Sequence, residues 1–244
     1  MAAWTALFRK DFRLSRTLLL AGLVMNLLIL VLALLMAGGD KLYVFIPLLA
    51  AVVFHIFYLP VLLFASLKSE ARQLHIWLHH PLPAATLLLS KLLNGIVMAV
   101  ISLVVLYSMA GMLAVSRFSL LKEHWTDIWM AGLLIFVHTI MISVWIGAWV
   151  ILLWSLYHSL KHRIGRWTWA ALLAAVILPG SVGSLITSTS LYKLVTQWGN
   201  MEVNFPTFPM DPIPTFAGEY LYYFVIIAGL VYVSSWIIDR KVEV

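Results

Sequence analysis

Long apolar runs separated by short charged segments dominate the pattern of this chain. A helix needs about 20 apolar residues to cross the roughly 30 Å hydrocarbon core of a bilayer. Six runs without charge meet this length, and they cover residues 17–39, 42–67, 92–116, 128–160, 167–192 and 220–238. We predict six spans in one domain, 17–238, placed at about 17–37, 42–66, 92–115, 130–156, 168–190 and 219–238, with a tail at 239–244.

The charge-free stretch 73–90 is long enough for a seventh span but contains two prolines and three histidines. These residues are His75, His79, His80, Pro81 and Pro83. Because proline interrupts the hydrogen-bond ladder of a helix, we reject this stretch as a span. Six spans place both termini on the same side of the membrane.

Composition supports an integral membrane protein, since 63% of the 244 residues are hydrophobic and 11% are charged. A soluble domain carries about a quarter charged residues, so this chain lacks the polar surface of a globule in water. The sequence contains no cysteine, which excludes disulfides, thiolate metal ligands and cysteine nucleophiles. The predicted fold class is an all-α membrane protein with six transmembrane helices.

The basic residues are divided unevenly between the two sides of the membrane. One side holds Arg9, Lys10, Arg13, Arg16, Lys68, Arg72, Lys91, Lys161, Arg163, Arg166, Arg240 and Lys241, and the other holds Lys41, Arg117, Lys122 and Lys193. By the positive-inside rule both termini and the tail are cytoplasmic, as in a multi-pass protein of the plasma (inner) membrane of a prokaryote. This placement accounts for the net charge of +6 without nucleic acid and favours anionic lipids as partners. The first run is too long for a signal peptide, so we expect no cleavage.

Residues 1–16 predict an amphipathic helix that lies on the cytoplasmic leaflet. Its apolar face carries Trp4, Leu7, Phe8 and Phe12, and the whole surface-binding set is Trp4, Phe8, Arg9, Lys10, Arg13 and Arg16. Asp11 falls on the apolar arc, where an unpaired charge is costly, so we expect a basic partner for it. The alternative is a frayed basic N-terminus that only sets the topology.

The segment 67–91 predicts a short amphipathic helix from Glu70 to His80 on the cytoplasmic side. Its apolar face holds Ala71, Leu74, Trp77 and Leu78. Pro81-Leu82-Pro83 ends it, and Pro83 is well placed to open the next helix. An exposed apolar stripe of this size needs a cover, which either lipid or a protein partner can supply.

The loop 193–219 on the opposite side contains alternating prolines between residues 206 and 214. Such a pattern forbids helix and predicts extended backbone. The neighbouring aromatic residues suggest packing onto the membrane surface, and the alternative is a rigid spacer.

The six apolar runs offer little chemistry, because none contains Asp, Glu, Lys or Arg. Ion-driven carriers usually keep ionisable groups at membrane depth, and the chain has no phosphate-binding G-x-x-x-x-G-K-[ST] motif of its own. Uphill transport would therefore take its energy from another subunit. No pattern of an enzyme active site occurs, so we predict a non-catalytic chain.

Two histidines and one proline-containing segment remain as candidates for a translocation path. His55 and His138 lie near the middle of their predicted spans. They could form a proton relay or supply the axial ligands of a b-type haem. We favour a third interpretation, in which both are neutral imidazoles hydrogen-bonded inside the bundle. Pro179, Gly180 and Ser184 predict either a broken helix near a substrate path or a packing kink, and we favour packing. Five scattered polar residues are expected to form hydrogen bonds between helices, namely Asn26, Asn94, Ser102, Thr139 and Ser143.

Two motifs in this layout resemble the permeases of ABC type-2 exporters. Leu7-Phe8-Arg9-Lys10-Asp11-Phe12-Arg13 is similar to the basic elbow helix that opens those subunits. Glu70, the stretch from Trp77 to Pro83 and Ser90-Lys91-Leu92-Leu93 are similar to their pattern of Glu, a leucine-rich turn, Leu-Pro and Ser-Lys-Leu before the third span. The similarity in architecture extends over essentially the whole chain. The sequence departs from the family after Leu-Pro, where it has Ala84-Ala85-Thr86 and the family often has basic or polar residues.

The resemblance implies that the segment 67–91 is a coupling helix that binds a separate ATPase subunit. The coupling residues would be Glu70, Ala71, Leu74, Trp77, Leu78, Pro81 and Pro83. Two ABC-class ATPase subunits, holding the ATP and magnesium that this chain does not bind, would drive alternating access in a pair of permeases, alike or different. The substrate would be an antibiotic, peptide, lipid or polymer.

Two other classes compete with the exporter. A substrate-binding module of an energy-coupling-factor importer also has six spans and no ATPase motif, but it lacks the elbow and the coupling segment. A haem- or quinone-carrying electron-transfer subunit rests only on His55 and His138.

Overall fold

The computed structural model of the protein describes residues 2–36, 41–72, 82–117, 124–207 and 211–241. These residues form mainly helices, with one small sheet. The helices are α1 (Ala2–Met36), α2 (Phe45–Phe54), α3 (Tyr58–Ala71), α4 (Ala84–Arg117), α5 (Trp125–Ile164), α6 (Thr168–Thr187), α7 (Ser190–Thr196) and α8 (Ala217–Lys241), and the strands are β1 (Asn200–Val203) and β2 (Ile213–Phe216). Short 3₁₀ turns occupy Lys41–Val44, His55–Phe57 and Gly165–Trp167.

Five helical stretches of the described chain are long and apolar enough to cross a membrane. They are Trp4–Met36, Phe45–Ala71, Ala84–Val115, Trp125–Thr187 and Ala217–Arg240. The fourth has 63 residues and contains both α5 and α6, which the turn Gly165–Trp167 joins. The prediction of an all-α membrane protein is confirmed.

Helix boundaries differ from the predicted spans in several places. A 3₁₀ turn at His55–Phe57 divides the predicted span 42–66 into α2 and α3, and α5 runs from Trp125 to Ile164, beyond the predicted 130–156. α1 is one continuous helix from Ala2 to Met36, without an end at residue 16, and α4 begins at Ala84, ahead of the predicted start at 92. The sequence prediction treated each charged residue as the edge of a span. Helical hydrogen bonding does not depend on that charge, so both helices run through the basic residues.

The chain divides into two units, of which the first comprises Met1–Ser66, Ser90–Gly147 and Phe205–Met210. Its core joins α1, α2 and α4 through Ala33, Val44, Leu48, Ala51, Leu103, Leu106 and Leu113. A smaller cluster joins α1, α3 and α4 through Leu19, Leu62 and Met98. In a bilayer such contacts stabilise by close packing rather than by removal of apolar surface from water.

A glycine makes room for side chains of a neighbouring helix in this unit. A Cβ built on Gly147 of α5 would collide with the side chains of Leu59 and Leu63, which are 0% and 1% exposed. The absence of a side chain at residue 147 therefore lets α3 lie directly against α5.

The second unit comprises Leu67–Leu89, Ala148–Asn204 and Asp211–Val244. Its sheet pairs Asn200 with Phe216 and Val203 with Ile213, so the proline-rich segment is extended at 213–216 as predicted. α7 packs on α8, with the rings of Tyr192 and Tyr222 edge to face at 5.2 Å. Burial, and after it the nearby acidic side chain of Glu219, raises the pKa of Tyr192 above its ordinary value.

Candidate functional site

A buried polar cluster joins the N-terminal helix to the start of α4. Lys91 Nζ lies 3.1 Å from Asp11 Oδ1, and the Ser90 hydroxyl donates a 2.7 Å hydrogen bond to Asp11 Oδ2. Lys91 also donates to the Ser66 hydroxyl of α3 at 3.1 Å. The expected basic partner of Asp11 is therefore Lys91, 80 positions further along the chain.

Hydrogen bonds within the cluster replace those that the buried Asp11 carboxylate and Lys91 ammonium would otherwise form with water or lipid headgroups. The side chains of Lys91 and Asp11 are 2% and 1% exposed, so neither charge is solvated from outside. A buried ion pair recovers its desolvation cost only when geometry is good and further hydrogen bonds complete the shell. Ser90 and Ser66 provide those hydrogen bonds, and the pair links α1, α3 and α4 at one point.

The predicted coupling segment lies mostly outside the described residues. Leu74, Trp77, Leu78 and Pro81 belong to that part, so their arrangement stays a prediction. Glu70 and Ala71 are the last two residues of α3, and Pro83 immediately precedes α4.

The start of α4 carries a helix cap that the sequence did not reveal. Asp239 Oδ1, near the end of α8, accepts a hydrogen bond from the Ala84 backbone N–H at 3.2 Å. The first amides of a helix lack partners within it, and a carboxylate there also meets the positive end of the helix dipole. The chain leaving the predicted coupling segment is thus attached to α8 inside the second unit.

The predicted surface-binding residues are distributed on α1 as an amphipathic helix requires. Arg9, Lys10, Arg13 and Arg16 are exposed, whereas Trp4 and Phe8 are half-buried. The fully buried positions of this segment are Leu7, Asp11 and Ser15, which recur every four residues. The face that meets the protein is therefore centred on Asp11.

A second buried polar cluster surrounds His55 in the first unit. Asn26 Nδ2 of α1 donates to the Ser102 carbonyl and hydroxyl of α4 at 3.0 and 3.1 Å, as expected for a contact between helices. His55 Nδ1 donates to the Ala51 carbonyl at 2.7 Å, and the Ser102 hydroxyl lies 3.1 Å from His55 Nε2. These partners fit a neutral imidazole with its proton on Nδ1, the interpretation favoured from the sequence.

The remaining candidates for a translocation path are His138 of α5 and three residues of α6. His138 Nδ1 bonds to the Leu134 carbonyl of its own helix at 2.8 Å. Pro179, Gly180 and Ser184 lie on the exposed surface of α6, which continues through Pro179 without interruption. The Ser184 hydroxyl returns to the Ser181 carbonyl at 2.7 Å.

A third polar cluster, missed in the sequence, attaches the proline-rich loop to α5. Asp127, in the first turn of α5, is 0% exposed and accepts hydrogen bonds from the Thr207 backbone N–H and hydroxyl at 2.7 and 2.5 Å. His124 Nδ1 lies 2.7 Å from the same hydroxyl. The sequence could have indicated Asp127 as a carboxylate at the start of a helix, which is a common signal. Its partner in the loop, 80 positions away, leaves no such signal in the sequence.

Within the described residues no group of three or more His, Cys, Asp or Glu side chains is arranged to hold a metal ion. Two of the polar clusters each join three helical elements, and the third joins a loop to a helix, so all three connect parts of the chain distant in sequence.

The comparisons with known proteins leave the family open. The chain is 28% identical over 257 aligned positions, covering the full length of both chains, to the uncharacterized protein YhcE of Bacillus subtilis (strain 168). No family model and no solved structure matches the chain.

Proposed function

We propose that this protein is the permease subunit of an ATP-driven ABC exporter in the plasma membrane of a prokaryote. The observation that carries the proposal is the ion pair between Asp11 and Lys91. It joins the two motifs on which the resemblance rests, because Asp11 lies in the basic N-terminal motif and Lys91 in the Ser-Lys-Leu motif. A subunit that couples a cytoplasmic segment to its membrane helices needs rigid connections of this kind.

Helix lengths support six spans with both termini in the cytoplasm. α5, with 40 residues, is about 60 Å long, and α6, with 20 residues, is about 30 Å long. Because a bilayer core measures about 30 Å, the stretch Trp125–Thr187 holds enough helix for two crossings. Two crossings there and one in each of the other four stretches make six.

The proposed mechanism places the ATPases on the segment between α3 and α4. Two ABC-class ATPase subunits bind the segments 70–83 of two permeases, which are alike or different. Closure of the ATPases on ATP moves those segments, and α3 and α4 pass the motion to the bundle through the Asp11–Lys91 pair. The substrate class is a hydrophobic or amphipathic antibiotic, peptide, lipid or polymer.

The first experiment is a mild detergent pull-down of the tagged chain from its native membrane, with identification of the co-purified proteins. We expect a stoichiometric P-loop ATPase of the ABC class. A membrane scaffold protein together with ATPases would instead favour the importer module. Absence of any ATPase from an otherwise intact preparation would overturn the proposal.

A second experiment tests the coupling segment with matched variants. Leu74→Asp/Trp77→Asp should abolish stimulation of the partner ATPase without affecting membrane insertion. The control is Ile164→Asp/Trp167→Asp, which has the same spacing of an aliphatic residue and a tryptophan, here 39% and 76% exposed. Normal coupling in the first variant, or equal loss in both, would exclude 70–80 as the binding surface.

A further inference from the structure

A cavity of about 420 Å³ opens at the turn between α5 and α6, entirely within the second unit. Small-molecule sites typically measure about 300–1,000 Å³, so this space is large enough for a headgroup-sized ligand. The cavity is lined by the end of α5, the three-residue turn Gly165–Trp167 and the start of α6 at Thr168.

The backbone of this turn depends on Gly165. Its φ of +53° is a left-handed conformation that residues with a side chain rarely adopt. Thr168 stabilises the turn by donating from its hydroxyl to the Gly165 carbonyl at 2.7 Å. The backbone conformation of Gly165 and its hydrogen bond with Thr168 therefore define the shape of the turn that lines the cavity.

Three basic side chains line the cavity, Lys161 and His162 from the end of α5 and Arg166 from the turn. Lys161 is half-buried and Arg166 is exposed, so their charges reach the opening. The sequence contains no aspartate or glutamate between Asp127 and Glu202, so no acidic residue near in sequence offsets them. Such a concentration of positive charge attracts anions, and a guanidinium matches the oxygens of a phosphate particularly well.

Aromatic side chains form the other wall and indicate where the cavity lies. The rings of Tyr157 and Trp169 stand 5.7 Å apart, and Trp169 is 69% exposed. Tryptophan and tyrosine are concentrated at the membrane–water interface, at the depth of the headgroups. Basic residues beside them are the usual partners of anionic headgroups.

We propose that this cavity binds a phosphate-bearing anion, with Lys161 and Arg166 as the charged contacts and Tyr157 and Trp169 as the apolar wall. Its position favours the headgroup of an anionic phospholipid as the source of that phosphate, and a soluble phosphate compound has the same chemistry. The site is formed by residues 157–169 of α5, the turn and α6, and the proposal does not rest on the proposed export function.

The test measures binding of phosphatidylglycerol to the purified protein in a zwitterionic detergent, by native mass spectrometry. Lys161→Gln/Arg166→Gln should weaken binding at least about tenfold, because both charged contacts to the phosphate oxygens are lost. Lys161→Arg/Arg166→Lys retains both charges and should recover most of the affinity. The matched control is Lys193→Gln/Arg240→Gln, which removes two exposed charges that do not line the cavity and should change affinity by less than about twofold.

Inorganic phosphate and glycerol 1-phosphate, added alone, distinguish the two sources. Binding of phosphatidylglycerol only, with the expected dependence on Lys161 and Arg166, supports a lipid site. The same dependence with glycerol 1-phosphate or inorganic phosphate supports a site for a soluble phosphate compound. If no phosphate ligand is retained, or if the Lys193/Arg240 control weakens binding equally, the proposal is overturned.

Discussion

Lys91 and Asp11 form an ion pair at 3.1 Å, with both side chains almost completely shielded from solvent. The pair connects α1 to α4, and the same ammonium group donates a hydrogen bond to the Ser66 hydroxyl of α3. Removal of one partner would leave a buried charge without its counterion, which is a far larger cost than loss of a surface pair.

We predict that Asp11→Asn and Lys91→Met each lower the free energy of unfolding by about 3–5 kcal/mol. The double variant Asp11→Leu/Lys91→Met should be less destabilised than either single variant, because no charge is left buried. Thermal unfolding in detergent, followed by tryptophan fluorescence, measures the effect. Arg13→Ala, an exposed position on the same helix, should stay within about 0.5 kcal/mol of the unaltered protein. Equal stability of Asp11→Asn and Arg13→Ala would contradict the buried pair.

Gly147→Ala should destabilise the protein by about 1–3 kcal/mol, because the new methyl group collides with Leu59 and Leu63. Gly111→Ala is the matched control, since a Cβ on that glycine of α4 meets nothing within 4 Å. The control should stabilise its helix by up to about 1 kcal/mol. Adding Leu59→Ala to Gly147→Ala should recover part of the loss. If both glycine variants behave alike in thermal unfolding, α3 and α5 do not pack at residue 147.

Ser102→Ala should cost about 1–3 kcal/mol, since it leaves the imidazole of His55 and the amide of Asn26 with fewer partners. Ser108→Ala on the same helix removes a hydroxyl that bonds only its own helix, to the Val104 carbonyl, and should be nearly neutral. The comparison uses denaturation in mixed micelles. An equally small effect at residues 102 and 108 would show that the network around His55 contributes no stability.

The six-span topology can be read with single cysteines, because the natural sequence has none to give background labelling. Leu194→Cys, at a position 75% exposed, should react with a membrane-impermeant maleimide in intact cells. Trp167→Cys, at a position 76% exposed, should react only after the membrane is opened. A cysteine appended to either terminus should behave like Trp167→Cys. Labelling of the two termini from opposite sides would indicate an odd number of spans.

Much of this fold follows from local properties of the sequence. The apolar runs predict membrane helices because length and hydrophobicity alone decide whether a segment suits a bilayer. Asp11 could be expected to have a basic partner, because its position on an apolar arc makes an unpaired charge costly. The extended backbone near residue 214 follows from its prolines. The predicted third span begins at residue 92 because the apolar run starts after Lys91, whereas α4 already begins at Ala84.

The identity of each partner was decided only by tertiary structure. Lys91 for Asp11, Thr207 for Asp127 and Asp239 for Ala84 are contacts between residues 80 or more positions apart. The charge or hydrogen-bonding capacity of a buried group shows that it needs a partner. Many basic or polar residues in the sequence have the chemistry to be that partner. Packing of the helices selects one partner, because a hydrogen bond or a close ion pair forms only between atoms that the packed backbones bring within about 3 Å of each other.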